Sequence, residues 1–122
     1  MRSANTRGRK PNQPRANATQ RGNVVVLDLR NEEEIYSGNR FVVYTMFPST
    51  NISIQVIWGL RKQNVVMTCG HSIINRTSRT DVGKLMLQHG GGGHRAVGTC
   101  QVPIEDAERV LEELVAKMNA DG

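Results

Sequence analysis

The chain has 122 residues and a formal net charge of +5, from 16 Lys and Arg against 11 Asp and Glu, a length suited to one domain. No apolar run approaches the roughly 18 residues that span a membrane and no signal-peptide pattern opens the chain, so no membrane partner is expected and the expected location is the cytoplasm. Two cysteines, Cys69 and Cys100, are too few for a disulfide framework in a chain with this much Val, Ile and Leu, and both are expected to be reduced.

Residues 1–23, MRSANTRGRKPNQPRANATQRGN, hold six of the basic residues, no acidic one, and no Ile, Leu, Val, Phe, Tyr or Trp. Such a segment cannot bury enough apolar surface to offset the entropy of ordering. The expectation is a disordered basic tail over 1–23 and a folded domain over 24–122. The domain then carries ten basic against eleven acidic residues, so the high pI belongs to the tail and is no evidence for a nucleic-acid face on the domain.

In chain order, Val24 to Leu27 is an unbroken apolar run, as in a strand covered on both faces. After a charged connection, RFVVYTMF (40–47) and ISIQVIWG (52–59) read as two strands of an antiparallel hairpin turned at Pro48 to Asn51. NVVMTCG (64–70) supplies a further strand and Val97 to Val102 another. Val82, Leu85 and Met86 fall at helical spacing behind Thr80 or Asp81 as a cap, with Gly90 as the stop. A second helix opens near Pro103 and repeats Ala107, Val110, Leu111, Leu114, Val115 and Met118 on one stripe, with Glu105–Arg109 and Glu113–Lys117 as expected ion pairs on its outer face. The fold class is α+β: a single domain with a mixed sheet of about five strands and two helices.

Between the helices lies GGGGHRAVGTC, Gly90 to Cys100. Four consecutive glycines are costly to order. The position after a helix and before a strand excludes a Walker loop and a Rossmann turn, both of which lead into a helix. Two readings stay open on the residues alone. Gly90 caps the helix and the rest is a mobile connection, or bare backbone N–H groups approach an anion, with His94 as a polar partner.

The segment LMLQHGGGGHRAVGTCQV, Leu85 to Val102, resembles the glycine-glycine-glycine-histidine signature of the DHH-associated domain, the C-terminal half of DHH phosphoesterases. GHSIINRTSRTDVGKLM, Gly70 to Met86, resembles the stretch before that signature in the exopolyphosphatase-related branch, and the likeness runs from about Val24 to Met118. One departure is Val97, where family members commonly have Ala.

The resemblance implies a division of labour. A separate catalytic domain holds two divalent metals, usually manganese, on Asp and His ligands, and the associated domain grips the substrate. This chain has no Asp-His-His segment, so no catalytic or metal-ligating residue is expected in it. It reads as a substrate-binding domain, excised or encoded alone, whose catalytic domain acts in cis or in trans. The implied ligand is a nucleotide, a short oligonucleotide or another phosphate ester. Gly91, Gly92 and Gly93 would present backbone, His94 would meet a phosphate oxygen, and Arg76 would meet another phosphate, with Ser72 and Asn75 as polar neighbours.

Two further readings belong to other classes. A stand-alone nucleic-acid-binding module would use the tail with the glycine-histidine loop, but stacking platforms are few: Tyr36, Phe41, Tyr44, Phe47 and Trp58 fall mostly in apolar runs. A Cys/His hydrolase would need Cys69 or Cys100 as an exposed thiolate beside a histidine. A zinc set of Cys69, His71, His94 and Cys100 matches no common finger spacing.

Overall fold

The computed structural model describes residues 18–30, 44, 46–72 and 75–122. Six strands form one mixed sheet: β1 (Ala18–Arg21), β2 (Val24–Asp28), β3 (Ile52–Trp58), β4 (Val65–His71), β5 (Gly92–Gly93) and β6 (Val97–Val102), in the order β1-β2-β3-β4-β6-β5. Among the described residues, helices α1 (Val82–Leu87) and α2 (Ala107–Asp121) accompany it.

The apolar run of β2 is buried on both faces, as its composition predicts. Val24 and Val26 join Ile52, Ile54, Val56, Val65, Met67 and Cys69 against the apolar stripes of α1 and α2, while Val25 and Leu27 point the other way and pack with Leu29 and Tyr44. The Tyr44 hydroxyl donates to Ser53 Oγ or Gly70 O, at 2.8 and 2.9 Å. Burial of this layer is the largest favourable term available to the fold.

The expected hairpin does not form. β3 lies parallel to β2, with Val24 opposite Ile52, and antiparallel to β4. Tyr44 and Met46 have helical backbone; residues 40–43 and 45 lie outside the described set. A parallel pair needs a long crossover instead of a tight turn, and a short apolar run does not by itself distinguish strand from buried helix.

The tail boundary also moves. Ala18–Arg21, placed in the tail by composition, forms β1 and pairs antiparallel with β2. The Arg21 guanidinium makes two hydrogen bonds to the Glu112 carboxylate of α2, at 2.6 and 2.8 Å, and Asn119 Nδ2 donates to Arg21 O at 3.0 Å. Residues 1–17 lie outside the described set. On α2, Arg109 pairs with Glu113 and Lys117 with Asp121, each at 3.0 Å. Glu105 falls in a 3-10 turn, Ile104–Asp106, whose tighter winding takes it out of the four-residue stack, so Arg109 takes Glu113 and Lys117 turns to Asp121.

Candidate functional site

Asp81 caps α1, its carboxylate accepting from the Lys84 N–H at 3.2 Å. The helix ends in a Schellman arrangement: Gly91 N–H donates to Met86 O at 2.8 Å and Gly90 N–H to Leu87 O at 3.2 Å. Gly90 takes φ +83° there, the left-handed geometry that favours glycine at this position.

The rest of the run is a hairpin, not a mobile connection. Gly92 and Gly93 pair with Thr99 and Gly98, and His94 N–H donates to Val97 O at 2.7 Å, leaving Arg95 and Ala96 at the tip. The tip is tied on both sides, by Val82 N–H to Arg95 O and by His71 N–H to Ala96 O, each 2.8 Å.

The glycines serve different purposes. A Cβ on Gly91 would stand 2.0 Å from Thr99 O, and one on Gly93 2.4 Å from Gly98 Cα. Gly83 lets α1 approach the hairpin: its Cβ would lie 2.6 Å from Gly93 O. Gly92 differs from all three, because a Cβ there meets nothing within 4 Å and its φ is not positive.

Gly92, Gly93 and His94 line a cleft of 310 Å³ with Asp81, Gly83, Lys84, Leu87 and Arg95. Three of its residues carry nitrogen donors on side chains that are exposed: Lys84, His94 and Arg95. Arg95 Nη1 lies 4.0 Å from Asp81 Oδ2, so the residue that caps α1 also faces the hairpin tip. Leu87, 69% exposed, gives the cleft an apolar wall. Gly91 does not line it; its amide is spent on the helix cap and its Cα packs under β6.

A second depression, of 270 Å³, is lined by His71, Ser72, Arg76 and Ala96. It borders the first across the tip, because Arg95 lines one and Ala96 the other. Ser72 is buried and its Oγ accepts from the Asn75 N–H at 2.9 Å. The Asn75 side chain donates to Pro48 O at 3.3 Å and accepts from Thr77 Oγ1 at 2.7 Å. These bonds shape the turn that carries Arg76. The structure thus brings together Gly92, Gly93 and His94, and sets Arg76 and Ser72 across the tip from them.

Sequence reading missed Gly83, Lys84 and Arg95 as parts of the cleft. The available signal was Gly83, a helix-breaking residue inside a helical pattern. Cys69 and Cys100 are both buried in the core cluster, and burial raises the Cys100 thiol above its ordinary range, the opposite of what a nucleophile needs. Among the described aromatics, Tyr44 is buried and Trp58 donates its Nε1–H to Arg30 O at 2.9 Å. Among the described residues no helix is long and apolar enough to cross a membrane.

No protein-family model and no curated protein matches the chain. Among solved structures it is similar to PggH of Vibrio cholerae, a pGpG-specific phosphodiesterase, with 54% identity and a TM-score of 0.83 over 87% of this chain and 36% of PggH. It shares its fold with an exopolyphosphatase-related protein of Bacteroides fragilis, at 15% identity and a TM-score of 0.56, over 80% of this chain and 30% of that one. The chain therefore spans about a third of the length of each. The mixed sheet, the glycine-histidine hairpin and the identity to PggH place the chain in the DHH phosphoesterase family, as its DHH-associated domain.

Proposed function

We propose that this domain holds the substrate of a DHH-family phosphodiesterase, and that the substrate is a short linear nucleotide of the kind PggH acts on. Gly92, Gly93 and His94 form the grip. Backbone at Gly92 and Gly93 borders the cleft, and the exposed His94 imidazole supplies a side-chain donor for a phosphate oxygen. The observation that carries this reading is Gly92. Among the described residues neither a steric contact nor a left-handed backbone calls for glycine there, and backbone without a Cβ at the cleft is what a closely approaching ligand would need.

Among the described residues no three His, Cys, Asp or Glu side chains gather as a metal centre requires. The manganese implied by the family resemblance has no fitting site among them, and no step of this reading runs through it. What these residues do is bind and orient.

Titration calorimetry with pGpG tests the grip. His94→Ala removes an exposed side chain and leaves the melting midpoint where it was, while binding weakens by about 1.5–3 kcal/mol, the range for a hydrogen bond to a charged group. Wild-type affinity in that variant contradicts the reading.

A further inference from the structure

Three hydrogen bonds close a ring around the start of α1 and the hairpin tip. Ala96 O accepts from the His71 backbone N–H, and the neighbouring Arg95 O accepts from the Val82 N–H, each at 2.8 Å. The third bond comes from the His71 imidazole, whose Nε2 lies 2.7 Å from Thr80 O. A carbonyl oxygen only accepts, so Nε2 carries the proton and donates it. The last residue of β4 therefore holds the hairpin tip with its backbone and the turn before α1 with its side chain. Thr80 is fully buried, and its hydroxyl donates to Asp121 Oδ2 of α2 at 2.9 Å, which secures the same turn from the other side. Two of the three bonds in the ring are main-chain; the His71 imidazole is the side-chain one.

The cleft has two walls, one carried by Asp81 to Leu87 and one by Gly92 to Arg95, and the ring joins them at one end. We propose that His71 is a positioning residue of the substrate grip: its imidazole fixes the turn that runs into α1 against the hairpin that carries His94, and so sets the spacing of the two walls. This rests on the substrate-binding reading above and adds the residue that keeps the parts of the grip in register. Without the imidazole N–H, the buried Thr80 carbonyl loses its donor, a costly vacancy that the turn relieves by moving. Asp81 follows Thr80 directly and caps α1, so the α1 wall moves with the turn. A wall left free has to be ordered when a ligand arrives, and that ordering is subtracted from affinity.

The test sets His71→Met, which removes the N–H donor, beside His71→Gln, whose amide supplies one again. Each full-length variant is read twice, by hydrogen exchange of the Val82 amide without ligand and by calorimetry with pGpG. In His71→Met the Val82 amide exchanges about tenfold faster, as a locally loosened segment does, and pGpG affinity falls about tenfold, as misplacement of a grip entails. His71→Gln returns both to within about twofold of wild type. Thr80→Val, which frees the same turn from Asp121 and keeps the imidazole bond, is the second route should His71→Met not fold, and it also pairs faster Val82 exchange with weaker binding. Weaker binding with Val82 exchange unchanged means that the imidazole meets the ligand itself, and faster exchange with wild-type affinity means that the turn does not set the grip. Either result, or an equal loss in His71→Met and His71→Gln, overturns the assignment while leaving the grip at Gly92 and His94 standing. If wild type binds no pGpG, the substrate-binding reading falls and this one with it.

Discussion

Individual positions near the cleft answer to different constraints, and the same residue type hides them. Gly91 and Gly93 are required by backbone within the chain and Gly90 by a left-handed helix cap, whereas Gly92 is required by neither. Composition shows four equal glycines; only the distances separate them, which is why the sequence leaves the phosphate and loop readings open. Away from the cleft, Asp28 is the residue with the most readable titration. Hydrogen bonds from the Arg30 side chain hold its carboxyl below the usual carboxylate range, against a smaller opposing effect of burial, with Arg30 Nη2 at 2.6 Å. A carboxyl depressed in the folded state contributes stability that is present above its unfolded pKa, near 4, and is lost as pH falls through the lower folded value. Asp28→Asn therefore costs stability near neutral pH, and the cost shrinks as pH drops below about 4; denaturant melts of both proteins across pH 2–7 measure it.

Elements differ in how plainly they are written. β2, β4, β6 and the stripe of α2 were legible because their apolar residues fall at strand or helix spacing and are buried accordingly. β1 was not, because Ala-Thr-Gln-Arg shows no apolar alternation and holds its place through backbone pairing and the Arg21–Glu112 contact. β5 is two glycines, a composition depleted in strands, and it pairs only because Gly98 and Thr99 lie opposite. The consequence for β1 is measurable. Removing residues 1–23 exposes the edge of β2 and strips α2 of its Arg21 and Asn23 contacts, lowering the melting midpoint by several degrees. Removing 1–17, which have no aliphatic residue larger than Ala beyond Met1 and the two prolines, leaves the melting midpoint within about a degree. Equal melting of the two truncations contradicts a docked β1.

In the whole molecule, a scaffold carries a grip. The sheet and two helices fix one hairpin between α1 and β4, and family membership was legible because Gly90–His94 is contiguous in sequence, whereas Lys84 and Arg95 join the cleft only through the packing that Gly83 permits. The most direct measurement pairs two neighbouring substitutions, Gly91→Val and Gly92→Val, each followed by a thermal melt and a pGpG titration. Gly91→Val, whose Cβ meets Thr99 O, lowers stability by about 1–3 kcal/mol, as overpacking does. Gly92→Val places a good strand former in open space, so its melting midpoint stays within about two degrees of wild type while pGpG affinity falls at least about tenfold, or roughly 1.4 kcal/mol. Unchanged affinity in a folded Gly92→Val protein contradicts the claim that this glycine is kept bare for a ligand.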